Sequence, residues 1–210
     1  HLLQTAAVIG VRVPFGLLRV VSQLPDDQFY ECLAHLRSAE FLFETNLFPE
    51  SEYTFTHALT TEVAYGALLQ DRRTFLHAKI VDALEQIQGD NLQEYVEMLA
   101  HHALHGQLWD KAVPYFSQSG AKALVCSAFK EAVSFLEQGL KALEHVTDSR
   151  HKLEWAIDFR CQLRNALFLL GESKKLYQYL KEAENLAQTL GDELRIGRVL
   201  NFLCSYAGLA

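Results

Sequence analysis

Cysteine is scarce and scattered in this 210-residue chain: Cys32, Cys126, Cys161 and Cys204 form neither a CxxC pair nor a tight cluster. That argues against a disulfide framework, and the four read as small apolar core residues of a cytosolic protein. Long hydrophobic runs are missing too. The apolar stretches break well short of the roughly 20 residues that cross a bilayer, and no basic segment precedes an apolar one near His1, so neither a membrane span nor an export signal is expected. Positive charge is also in deficit. Nineteen Lys and Arg against 26 Asp and Glu leave a net charge of −7, the wrong sign for a chain held to phosphates by counterion release, so no nucleic-acid partner is expected. A GxSxG nucleophile elbow is absent as well, which disfavours a serine hydrolase.

What is present is a hydrophobic half, enough for one large or two small cores. Leu2 to Ile9 reads as a short apolar helix ending at Gly10. A second helix opens at Pro14, where proline suits the first turn, and a third opens at Pro25, Asp26 and Asp27, whose carboxylates favour a helix N-terminus. Then the period changes. Glu40 to Thr45 and Tyr53 to Thr56 are short aromatic runs separated by Asn46 to Glu52, including Pro49, and they predict a β-hairpin. Three helices and a hairpin give the order of a winged-helix module. Asp26, Asp27, Glu31 and Glu40 against Arg37 make its third helix a poor reader of DNA. Helices follow at Ala58 to Leu69 and Arg72 to Ile87, and Gly89, Asp90 and Asn91 mark a boundary.

Beyond that boundary the pattern is helix, short turn, helix. Gly106 with Ala112 and Ser119, and Gly171 with Leu176 and Ala183, approximate the glycine-turn and small-residue spacing of a tetratricopeptide unit. The register is degenerate, since Ala132 follows Ala112 by only twenty residues and Thr147 to Arg150 is unlike a standard turn. The expected fold is mainly α: a winged-helix-like unit with one short hairpin over residues 1–88, then a tetratricopeptide-like α-solenoid over 89–210. Because it opens at His1 and stops at Ala210 within a repeat, the chain reads as a segment of a larger protein.

The run YTFTHALTTEVAYGALLQDRRTFLHAKIVDALE, Tyr53 to Glu85, resembles the segment after the nucleotide-binding domain of large bacterial AAA/STAND-type signalling ATPases, many fused to class III adenylate or guanylate cyclases. LQTAAVIG from Leu3, LAHLRSAEFLFE from Leu33, LAHHALHGQLWDKAVPYF from Leu99 and LGDELRIGRVL from Leu190 follow the same family order. The resemblance implies an arm leading into a sensor solenoid, with ATP and Mg belonging to the parent protein. It also implies partners in the ATPase and output domains of the same chain and a protein or peptide on the solenoid. No GxxxxGK(S/T) loop is present, so no ATP-binding residue of the family can be placed here and no cofactor is expected in this segment.

Few residues are left to carry chemistry. His101 and His105 lie one turn apart with Glu97 one turn before, on one side of a helix, as ligands of a metal hydrolase would. HHALH lacks the glutamate of HExxH and no fourth ligand stands out, so a polar helix face is preferred and no metal ligand or catalytic residue is assigned. Arg72, Arg73 and His77 read as a basic patch able to meet a phosphate or an acidic neighbouring domain. His57, where the hairpin passes into a helix, is the candidate nucleotide sensor: the resemblance places a histidine near the ATP phosphates, and a helix N-terminus beside it suits an anion. Trp109, Tyr115, Phe116, Phe129 and Phe135 read as core more than as a peptide groove. The function expected is a non-catalytic regulatory segment of an ATP-dependent signalling protein. Its rivals are part of an ATPase-type transcription regulator with its DNA-binding domain elsewhere, and the metal hydrolase.

Overall fold

The computed structural model describes residues 1–46 and 51–207. Residues 47–50 of the expected hairpin turn, Pro49 among them, lie outside these. The protein is mainly α, and the chain divides into two compact units: His1–Tyr95 with His101–Leu108, and Val96–Ala100 with the chain from Trp109 on.

The first unit is built around α1 (Leu2–Ile9), in which Leu2, Thr5, Ala6, Ala7, Val8 and Ile9 are all buried. A helix this short does not hold its shape in water, and one apolar on nearly every side must be enclosed. It is, by α2 (Phe15–Ser22), α3 (Asp26–Ser38), α4 (Ala58–Gly66) and α5 (Gln70–Gln88). Asp26 at the start of α3 takes a bidentate contact from Arg19 of α2, at 2.8 and 2.9 Å. The predicted hairpin is present as β2 (Leu42–Asn46) and β3 (Glu52–Phe55), with Tyr53 and Phe55 facing the core. The sheet has a third strand that the sequence did not announce. β1 (Arg12–Pro14) pairs antiparallel with β3 in the order β1-β3-β2. Three residues are too few to show a two-residue period, and Pro14 is tolerated because β1 is an edge. Pro14 therefore ends a strand and caps α2 instead of sitting in its first turn.

A 3₁₀ turn (Gly89–Tyr95) follows α5, and α6 (Val96–His105) comes next; the first unit does not end at residue 88 as expected but runs to Tyr95 and takes in His101–Leu108. In the second unit α7 (Trp109–Val125), α8 (Phe129–Leu143), α9 (Ser149–Leu169), α10 (Ser173–Leu190) and α11 (Glu193–Ala207) each pack on the next in sequence. Ala112, Ser119, Leu176 and Ala183, the positions picked out by spacing, are all buried, and so are Ala132 and Leu136. The loop that looked unlike a turn ends in a capped helix start. The Asp148 carboxylate accepts from the backbone N–H of Arg150 at 3.0 Å and of His151 at 3.2 Å, which satisfies two amides that a helix N-terminus leaves open.

One device stops four helices. Phe41 N–H donates to Leu36 O, Leu108 to Ala103, Ala128 to Ala123 and Glu172 to Leu167, each at 2.9–3.0 Å across five residues. The residue before each donor is left-handed: Glu40, Gln107, Ser127 and Gly171. This is the Schellman closure, and glycine normally takes the left-handed position. Here only Gly171 does. Gly106, expected to supply the turn, has φ of −79° and lies within the right-handed region; its missing side chain serves packing, because a Cβ there would lie 2.8 Å from the backbone N of Ala78 on α5. Gly139 of α8 plays a similar part among side chains, where a Cβ would fall 2.5 Å from Cε1 of the Phe159 ring and 3.1 Å from Cβ of Phe116.

The cysteine expectation is corrected. Cys161 is buried, but Cys32, Cys126 and Cys204 are exposed; Cys32 lies on the outer side of α3, and Cys126 stands between α7 and α8, where a helix ends at the surface. Of the five aromatics read as core, Phe116 is fully enclosed. Trp109, Tyr115, Phe129 and Phe135 are half-buried, with Trp109 stacked on His145 at 4.2 Å.

Two substitutions in the second unit have opposite expected signs. Gly139→Ala gains about 1 kcal/mol of helix propensity but forces Phe159 aside, and overpacking of about 1–3 kcal/mol should leave it net destabilising. Ser127→Gly relieves left-handed strain and should stabilise by up to about 1 kcal/mol. Urea unfolding of both variants, read by helical circular dichroism, checks the two directions.

Candidate functional site

α5 buries one stripe: Leu76, His77, Ile80, Val81 and Leu84. The first unit's part of α6 buries another, His102 and Ala103, continued by Gly106. Each stripe has one histidine at a position where an apolar residue would serve packing. The two rings meet, at 2% and 1% exposure, with Nδ1 of His77 2.8 Å from Nδ1 of His102. His101 and His105, on the outer side of α6, close around them. The His77 ring centroid is 5.9 Å from that of His101 and 5.0 Å from that of His105, and His101 and His105 lie 4.3 Å apart.

The partners assign the protons. His102 also bonds the backbone of Ile9, and since its Nδ1 faces His77, the Ile9 carbonyl takes the proton on Nε2. Neutral His102 therefore accepts at Nδ1, so His77 donates from its own Nδ1 and accepts at Nε2 from the Tyr65 hydroxyl, 3.2 Å away. The result is one directed chain, Tyr65 to His77 to His102 to Ile9, with no ring nitrogen of the buried pair left without a partner. Charge is expelled from it. Burial, then the neighbouring His105, His101 and Arg73, lower the His77 pKa to about 3; burial, then His77, His101 and His105, hold His102 well below the ordinary histidine range. Partial burial followed by His105 lowers His101 as well. Three neutral imidazoles in contact can pass a proton along the chain or ligate a metal ion, and one ring nitrogen of each of His77, His101 and His102 lies within 4.8 Å of the others.

The Glu97, His101, His105 set does not assemble. Glu97 belongs to the second unit, where its carboxylate pairs with Lys122 at 3.3 Å. His101 and His105 are brought together with two residues the spacing argument passed over, His77 and His102. His77 also leaves the basic patch, because it points into the core. Arg73 turns back on the end of α4, donating to Leu68 O at 2.9 Å and covering the Tyr65 ring at 5.0 Å. Arg72 meets Nε2 of His1 at 2.6 Å and lies over Phe75 at 5.2 Å. His57 occupies the N-cap position of α4, is exposed, and makes no capping hydrogen bond with its side chain. It stands at the rim of a shallow apolar groove lined by Leu3, Phe41, Leu59 and Val63. A signal for the buried pair was present in the sequence, as each histidine interrupts an apolar helical stripe.

No protein-family model matches the chain, and no solved structure matches it. It is similar to an uncharacterized protein of Rhizobium meliloti, with 32% identity over 152 residues. That stretch is 70% of this chain but 14% of the relative, a much longer protein. No helix among the described residues is long and apolar enough to cross a membrane.

The neutral pair makes a pH prediction. Unfolded histidine titrates near 6.5, so below that pH the unfolded chain binds protons that folded His77, down to about pH 3, and folded His102 refuse. Stability is full above that pH and falls as pH drops below it, by up to about 1.4 kcal/mol per pH unit for each ring. Denaturant unfolding in chelator-containing buffer from pH 7.5 to 5 should show this slope, and His77→Phe should flatten it.

Proposed function

We propose that this chain is a non-catalytic regulatory and interaction segment of a longer ATP-dependent signalling protein, coupling a nucleotide-binding domain to an output domain such as a cyclase in the cytoplasm. The observation that carries the reading is the groove beside His57. Leu59 and Val63 are 68% and 63% exposed on the same side of α4, next to Phe41 and Leu3. An apolar patch of this kind is costly to leave in water and fits the face of a neighbouring domain. His57 at its edge can donate to a phosphate beside the N-terminus of α4, which suits the sensor role.

Two further features support it. Three helices with a sheet arranged β1-β3-β2 suit a winged-helix-like arm, and the acidic third helix favours packing on protein over reading DNA. The successive packed helices of the second unit suit a tetratricopeptide-like scaffold for a protein or peptide. The similarity to a small part of a long bacterial protein agrees with a segment that works among other domains.

The test uses the isolated chain and the separately produced ATPase domain of its parent. Leu59→Asp with Val63→Asp should weaken their association by at least about tenfold without changing helix content, and His57→Ala in the full-length protein should alter the nucleotide dependence of its activity. The isolated chain should not hydrolyse ATP or make cyclic nucleotides. Unchanged association, or turnover that survives repurification, would refute the proposal.

A further inference from the structure

We propose that His77, His101 and His102 form a binding site for one divalent transition-metal ion of the zinc class, with His105 completing the set. The donors are all imidazoles. That chemistry selects zinc, nickel, cobalt or copper over magnesium and calcium, which require oxygen ligands.

The geometry favours ligation because of where the far nitrogens point. A ligating histidine normally has its other ring N–H held by an oxygen, which fixes the ring and its tautomer. Both buried rings meet this condition. His102 keeps its Nε2 proton on the Ile9 carbonyl and turns Nδ1 inward. His77 turns Nδ1 toward it and has the Tyr65 hydroxyl at its Nε2. Without metal, one proton sits between the two Nδ1 atoms. When an ion enters, that proton shifts to Nε2 of His77, Tyr65 becomes the acceptor, and both Nδ1 lone pairs are released to the metal. Neither ring changes its net proton count, so the exchange needs no acid or base from outside.

The distances require only modest adjustment. Tetrahedral ligation at about 2.0–2.1 Å places the nitrogens about 3.3 Å apart, so the 2.8 Å pair opens by about half an ångström. The larger movement falls to His101, the exposed member of the three. His105 holds the His101 carbonyl at 2.9 Å through Nδ1, leaving Nε2 for the fourth position. Because burial keeps His77 and His102 neutral, that pair is ready to ligate at neutral pH. The ion would tie α5 to the C-terminal half of α6.

The experiment titrates EDTA-stripped full chain with Zn²⁺ and, for its visible spectrum, with Co²⁺. One equivalent should bind, with four-coordinate cobalt bands and a raised Tm, while Mg²⁺ gives neither. His101→Ala, an exposed change that leaves the core intact, should weaken binding by at least about tenfold, and Tyr65→Phe, which removes the acceptor for His77, by about tenfold. His35→Ala and His151→Ala should bind as the parent does. Absence of a cobalt spectrum, or affinity unchanged in His101→Ala, would overturn the site. Should Tyr65→Phe unfold, His77→Asn with retained helix content and undiminished uptake would overturn it equally.

Discussion

The contact between Gly106 and the backbone of Ala78 sets how closely the end of α6 meets α5. A Cβ at Gly106 would lie 2.8 Å from the Ala78 nitrogen and 3.0 Å from its Cα, and backbone atoms inside a helix have no room to yield. Glycine alone lets the end of α6 rest on α5 at that point. His77 adjoins Ala78, and His102 lies one turn before Gly106. The closeness of the helices thus becomes closeness of the two rings. Gln107 then takes the left-handed conformation and α6 stops, so one short stretch fixes the approach and ends the helix.

Two imidazoles enclosed at such a contact would each cost roughly 1–3 kcal/mol for any nitrogen left unsatisfied. The directed chain from Tyr65 through His77 and His102 to Ile9 removes that cost and joins α4, α5, α6 and α1. It works only with neutral rings, because a second proton between the facing Nδ1 atoms would set donor against donor. The same neutrality underlies the acid sensitivity of the fold and the readiness of the rings to ligate a cation. Arg73 reinforces it from the side, with its charge held on the carbonyl end of α4 and over Tyr65.

The second unit combines close packing with polar ties between its helices, such as Arg160 to Glu182 at 2.9 Å and Tyr179 to Glu137 at 2.9 Å. Gly120 and Gly139 are the positions where Leu136, Phe116 and Phe159 come closest, and the Schellman closures at Ser127 and Gly171 fold the chain back so that each helix meets its neighbour. Buried small residues such as Ala112, Ala132 and Ala183 there position surfaces. That suits a scaffold, whereas the groove of Leu59 and Val63 beside His57 suits a docking face of the first unit; the regulatory reading draws on both.

The helical period by itself determined that the chain is mainly α; Leu2 to Ile9, the hairpin strands and the buried small residues were legible from apolar spacing, and the start of α3 from Pro25, Asp26 and Asp27. Those features depend on neighbours along the chain, which a sequence displays directly. β1 was not legible, because a three-residue edge strand exists only through its partner β3. Nor was the true role of Gly106, since φ can be guessed locally but an approaching backbone cannot. Within one helix, spacing joined Glu97, His101 and His105; the fold turned Glu97 toward Lys122 and brought in His77 from 24 residues upstream of His101. A cluster whose members lie on two helices is decided by how those helices pack, and only the tertiary structure contains that information.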